Sequence, residues 1–328
     1  MYKKKVTLSD VSKGAGVSKS AASIVLSGRS DIRIGQAARK RILDTAASLG
    51  YYAASFSNKH RGTVYFVHSG IENAHIGTSF FVNTAHELKI LCNEKNYNFI
   101  EIDYTPENAG VQMPSIIAAK PLAAVTNNYF FYQEINKYEV NIPLFLLQSG
   151  GMEKKAVSYL VDDREAGRLA GKHLLQCNCR RAAVVMPEHS NRCRRERTEG
   201  FLETFSSQGC TADVIELKDL SLEKAEMLCK TAKKNRYDCW FFFSDALAIA
   251  GIRGLHAAGI NIPAHAKIIG TDNLYWGRYT YPSLTTMDLQ EKIFAQKILR
   301  DIDAAASGEK ITESVVIIPV KLIKRESA

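Results

Sequence analysis

A chain of 328 residues that is 46% hydrophobic can bury a sizeable core, and its length suits two or three domains better than one. It contains no run near the roughly 18 apolar residues that span a bilayer and no apolar segment ahead of a small-residue cleavage site at its start. Its seven cysteines are scattered without a C-x-x-C pair, so export, a membrane role, a disulfide framework and a zinc site are not indicated, and a reducing cytoplasm is the expected location.

The net charge of +9 is unevenly spread. Residues 1–61 hold twelve Lys and Arg against three acids, whereas the rest of the chain carries 31 of each. A polyanion is therefore attracted to the first fifth of the sequence.

That segment is patterned for helices. Thr7 and Asp10 fit a capping box that opens a first helix, with Leu8, Val11 and Ser12 on its apolar edge and Gly14 to Gly16 permitting a sharp turn. Ser18 is a second N-cap candidate; behind it Ala21, Ala22, Val25 and Leu26 face inward while Lys19, Ser20 and Ser23 face out, and Gly28 ends the helix. Ala38, Ile42, Leu43, Ala46 and Leu49 repeat at helical spacing and predict a third helix capped by Gly50. Two short helices at a tight glycine turn, braced by a third, make a helix-turn-helix.

From Gly62 the pattern changes to short apolar strands separated by amphipathic helices. Strands are predicted at 64–67, 99–102, 123–126, 144–147, 182–185, 214–217, 240–243 and 267–269, with helices between them, for example 81–95 and 166–176. Such alternation implies parallel sheets with helices on both faces, and this length suits two lobes around a cleft.

Residues 6–28, V-T-L-S-D-V-S-K-G-A-G-V-S-K-S-A-A-S-I-V-L-S-G, closely resemble the head of the LacI/GalR family of bacterial repressors. The resemblance continues through V-D-D-R-E-A-G-R-L-A-G-K-H-L-L (161–175), R-T-E-G-F (197–201), S-D-A-L-A (244–248), I-I-G-T-D-N (268–273), P-S-L-T-T-M (282–287) and L-I-K-R-E-S (322–327). It implies a small all-α helix-turn-helix domain (1–50), a hinge (51–61) and an α/β periplasmic-binding-protein-like core (62–328) of two lobes with parallel sheets. The first lobe would hold about 62–160 and 289–318, the second about 161–288 and 319–328.

The same resemblance implies that the second helix lies in the major groove of double-stranded, pseudo-palindromic operator DNA, read by a homodimer. Lys19 and Ser20 would then stand nearest the bases and Ser18 and Ser23 near phosphates, with Thr7, Arg29 and Tyr51 completing the set. Two positions depart from the family. Ile24 stands where Arg is usual, and His60 where a leucine wedges into the minor groove; Phe56 is a substitute wedge, and a plain linker is the other reading.

For a small-molecule effector bound between the lobes, the resemblance points to Arg197 and Asp272, then to Ser69, Phe80, Asn127, Gln148 and Asp245. Asp245 is equally read as a helix cap. Gln148 stands where many sugar-binding members have an acid, and Leu289 where Gln is frequent. Residues 188–197, E-H-S-N-R-C-R-R-E-R, read as a basic loop whose Arg192, Arg194 and Arg195 are either solvated or arranged for an anionic effector such as a phosphorylated sugar.

No catalytic motif is present: G-x-S-x-G, H-E-x-x-H, the P-loop and a strand-borne G-x-G-x-x-G are all missing, and Asp162 and Asp163 are consecutive residues that point apart. No enzyme, cofactor or metal is expected. A solute-binding transport component would share the core fold, but the basic head and the lack of an export signal argue against it.

Overall fold

The computed structural model describes residues 6–26, 34–49, 60–68, 79–148, 153, 155–188, 191–218, 221–232 and 236–328. The chain divides into two compact units, Met1–Arg61 and Gly62–Ala328.

In the first unit, α1 (Leu8–Gly14), α2 (Lys19–Leu26) and α3 (Gln36–Ser48) follow one another. The capping box forms: Asp10 N donates to Thr7 Oγ1 at 3.4 Å, and Thr7 N and Oγ1 donate to Asp10 Oδ2 at 2.8 and 2.7 Å. Gly16 turns the chain at φ +63°, a conformation costly for side chains with a Cβ, and Ser18 Oγ caps α2 by accepting from Ala21 N. Val11, Ala15, Ala22, Val25, Leu26, Ile42 and Ala46 form the buried centre. Leu43 and Leu49, expected on the inner face of α3, are exposed in this unit: one helical stripe, through Ile42 and Ala46, suffices to cover two short helices. Gly28 and Gly50 lie outside the described residues.

The second unit contains two six-stranded sheets. The first runs β11 (Val315–Ile318), β5 (Val157–Val161), β4 (Leu144–Leu147), β3 (Ala123–Thr126), β1 (Thr63–His68), β2 (Asn98–Asp103), all parallel. The second runs β12 (Lys321–Ile323), β10 (Thr285–Asp288), β9 (Lys267–Thr271), β8 (Cys239–Phe242), β6 (Arg181–Pro187), β7 (Thr211–Leu217), parallel except for β12. Parallel strands need helical crossovers. Here they are α4 (Ser79–Glu94), α5 (Ala109–Ala119) and α6 (Tyr129–Ile135) in the first lobe, and α7 (Asp163–Gln176), α8 (Arg192–Ser206), α9 (Leu222–Lys230) and α10 (Asp245–Ala257) in the second, with α11 (Glu291–Ala306) between β10 and β11. The chain passes from one sheet to the other three times, after Val161, after Asp288 and after Ile318.

Every strand predicted from the sequence coincides with an observed one. The sequence predicts no strand at β5, β10, β11 or β12: β10 is Thr-Thr-Met-Asp, a short and largely polar stretch whose two threonines are nevertheless fully buried. The predicted basic loop is also corrected. Asn191 Oδ1 accepts from Arg194 N, so α8 begins at Arg192 and the guanidinium groups project from a helix.

Two glycines bring α7 against α8. A Cβ on Gly167 would stand 2.0 Å from Arg197 O, and one on Gly200 2.0 Å from Arg164 O, so the backbones touch where the two residues face each other. This contact sets the start of α7 beside the side chains of α8.

Candidate ligand cleft and nucleic-acid interface

In open parallel sheets, ligands bind beyond the carboxyl ends of the strands. In the first lobe these ends carry His68, Asn127 and Gln148, with Asp162 at the crossing; in the second they carry Phe243–Asp245 and Asp272. Arg192 shows that the two sets face each other, since its Nη2 donates to Gln148 Oε1 at 3.4 Å and Val161 O at 3.1 Å.

Arg197 is 3% exposed and held on three sides. It donates to Asp163 Oδ1 from Nε (3.2 Å) and Nη2 (2.6 Å), donates to Phe243 O at 2.8 Å, and lies 4.7 Å from the centre of the Phe243 ring. Burial, the largest single influence, works against its charge, but Asp163 together with Cys193 and Asp272 more than offsets it, so its pKa is raised. Asp163 is fully buried and also pairs with Arg192. Sequence reasoning set Asp163 aside as one of two adjacent acids. The signal was Asp162: as the α7 N-cap, accepting from Glu165 N, it makes Asp163 the first helical residue, turned a different way.

Asp272 is buried, at φ +114°, a conformation that costs about 1–3 kcal/mol for a residue with a side chain. Its Oδ2 has no hydrogen-bond partner. Burial, reinforced by the neighbouring Asp245, pushes its carboxyl well above the usual range despite Arg197. Asn127 Oδ1 and His68 Nδ1 are likewise buried without hydrogen-bond partners; His68 Nδ1 is 3.7 Å from Asp103 Oδ1, and burial lowers its pKa. Unsatisfied buried polar groups are costly, and here three of them sit at strand ends on both sides of the cleft.

Other expected lining residues are placed differently. Asp245 is neither a cap nor cleft-exposed: Ser244 caps α10, and the fully buried Asp245 accepts from Thr286 Oγ1 at 2.6 Å and Leu274 N at 2.7 Å. Phe80 packs edge-on against Phe81 and Phe294 in the core. Gln148 holds the first lobe together through Val161 N (2.8 Å). Ser69 lies outside the described residues. The arginines are matched by acids: Arg192 pairs with Asp163 and Glu196, and Arg194 with Glu216, while Arg195 is exposed.

In the first unit Ser18, Lys19 and Ser20 are exposed, and Ser23 and Ile24 are half-buried on α2; Thr7 is engaged in capping α1. His60 is exposed. Arg29, Tyr51 and Phe56 lie outside the described residues. No helix among the described residues is long and apolar enough to cross a membrane.

A family model described as a periplasmic binding protein-like domain matches residues 172–328. The HTH-type transcriptional regulator DegA of Bacillus subtilis is 24% identical over 98% of both chains, and the sucrose operon repressor of Streptococcus mutans 27% identical over 98% of both. Two solved structures share the fold at a TM-score of 0.71. The transcriptional regulator CelR–cellobiose complex is 19% identical over 98% of this chain and 100% of that one; the Lac repressor dimer bound to operator and the anti-inducer ONPF is 17% identical over 99% of each. With relatives matched end to end and a core of two parallel sheets crossed three times, the chain is similar over its whole length to transcriptional regulators of the LacI family.

Proposed function

We propose that this protein is a sequence-specific repressor whose grip on operator DNA is controlled by a small polar ligand bound between the lobes of its core. The observation that carries the DNA-binding half is the union of two facts: the whole charge excess of the chain lies in residues 1–61, and α2 there holds Lys19 and Ser20 on an exposed face behind a capped turn. Such a helix in the major groove reads base edges, while the surrounding Lys and Arg draw the phosphates. Residues 1–50 act as the head, 51–61 as the hinge and 62–328 as the sensor. A homodimer presents two heads to the two half-sites of a pseudo-palindrome.

The ligand half rests on the orphaned Asn127 Oδ1 and Asp272 Oδ2 and on the buried Arg197. A sugar or sugar derivative supplies hydroxyls that donate to both oxygens. The pairing of Arg192 and Arg194 with carboxylates favours a neutral sugar over a phosphorylated one. The lobes rotate when ligand binds, and the spacing of the heads changes with them.

The test is binding of full-length protein and a Lys19→Ala, Ser20→Ala variant to DNA upstream of its own gene, over a salt series. The reading expects affinity that falls steeply with salt and specificity that the variant loses. Equal binding by both proteins to unrelated DNA would instead favour a ligand sensor whose head no longer reads sequence, the reading that Ile24 and His60 suggest.

A further inference from the structure

At the end of the second lobe's sheet opposite the cleft, three metal-ligating groups meet that no sequence spacing announces. Cys179 lies in the connection between α7 and β6, and Asp238 and Cys239 lie at the start of β8, some sixty residues away. The register explains the meeting: β6 pairs in parallel with β8 with Ala182 opposite Cys239, so residues just upstream of both strands share one edge. Cys179 Sγ, Cys239 Sγ and a carboxylate oxygen of Asp238 all lie within 4.8 Å of one another, the one such group among the described residues.

We propose that Cys179, Asp238 and Cys239 form a zinc-binding site. Tetrahedral zinc, with Zn–S of about 2.3 Å and Zn–O of about 2.0–2.2 Å, sets its ligand atoms about 3.5–3.8 Å apart, so each pair here closes by at most about 1.3 Å. The carboxylate is already oriented. Its two oxygens accept from Arg180 N at 3.0 and 2.9 Å, and Oδ1 accepts from Arg181 N at 3.0 Å, which leaves lone-pair capacity on Oδ2 for a cation. The connection bearing Cys179 is held too: Asn178 takes φ +62°, and Cys179 N donates to Leu174 O at 3.0 Å.

Chemistry selects the ion. Two thiolates exclude magnesium and calcium, and a carboxylate in a set of three disfavours copper(I); a mixed sulfur and oxygen set suits zinc. Binding forms two Zn–S bonds and one Zn–O bond, and each cysteine gives up its thiol proton to solvent. The resulting single negative charge is met by Lys267 and Arg180, both of which act electrostatically on Cys179. The fourth position falls to water. The four-residue β8 separates this edge from the cleft by about 13 Å at 3.3 Å per residue, so the site stands independently of the ligand reading.

The experiment is a cobalt(II) titration of full-length protein that has been stripped with chelator and reduced. The proposal expects a sulfur-to-cobalt charge-transfer band that saturates at one equivalent and is displaced by zinc. Cys179→Ser and Cys239→Ser should each abolish the band, whereas Cys92→Ser, in α4 of the other lobe, should retain it. Asp238→Asn should weaken cobalt binding by about ten-fold or more. Thermal unfolding of each apo variant shows whether it folds; if Cys239→Ser does not, Cys179→Ser, on the connecting segment, decides alone. Absence of the band in the unaltered protein at equimolar cobalt, or its survival in Cys179→Ser, overturns the proposal.

Discussion

Arg192 on α8 of the second lobe donates to Gln148 Oε1 at the end of β4 in the first, and the same oxygen accepts from Val161 N at 2.8 Å. One amide group thus joins the lobes and also satisfies a strand-end N–H. Gln148→Leu removes both roles and leaves Val161 N without this acceptor, an expected loss of about 1–3 kcal/mol in denaturant unfolding. Small-angle scattering should also report a more open unliganded core, because the Nη2 group of Arg192 then keeps only Val161 O as its partner in the first sheet.

The pairing of Asp163 with two arginines predicts an asymmetry. Removing one partner of a buried pair leaves the other charge uncompensated, typically at about 3–5 kcal/mol. Arg197→Met leaves Asp163 with Arg192, whereas Asp163→Ala takes from the buried Arg197 its carboxylate partner and leaves Arg192 with Glu196 alone, so Asp163→Ala should be the more destabilising of the two. Urea unfolding of both variants checks the order. A greater loss in Arg197→Met would show that Arg192 does not compensate.

The buried carboxyls set a pH dependence. Burial raises Asp245 to about 7, against which its bonds from Thr286 and Leu274 act only in part, and Asp272 is raised well above the ordinary value. In the unfolded chain both titrate near 4. Between about pH 4 and 7 the folded state therefore binds more protons than the unfolded one, and their contribution to stability falls as pH rises through this window. Asp245→Asn removes that titration while keeping a side chain that can accept from Leu274 N and donate to Thr286. Its denaturation midpoint should change less between pH 5 and 7.5 than that of the unaltered protein.

Gly167 and Gly200 permit the backbone contact of α7 and α8. Alanine at either position must push the helices apart, since the obstructing atoms are backbone carbonyls and not mobile side chains. A loss beyond about 4 kcal/mol is expected for each, with the Asp163–Arg197 geometry lost too. Thermal unfolding tests the first consequence. The second should appear as weakened ligand binding in any variant that still folds.

The sequence by itself determined the local structure of this protein and the class of its fold. The Thr7–Asp10 box, the Ser18 cap and the apolar spacing of Val11, Ala22, Val25 and Ile42 depend on neighbours within a few residues, and these neighbours are printed in the chain. The same is true of strands as apolar as Leu144–Leu147 or Cys239–Phe242, buried on both faces of a parallel sheet. Only the tertiary structure decided what each polar group faces. Asp245 and Asp272 look alike as strand-end acids, yet one is sealed by Thr286 and Leu274 while the other keeps an unpaired oxygen; an arginine cluster read as a basic loop opens a helix in which Arg192 and Arg194 are paired with acids. Pairings such as Arg192 with Gln148, or Cys179 with Cys239, join residues 44 and 60 positions apart. They follow from sheet register and from the close approach of α7 and α8, which no local pattern contains.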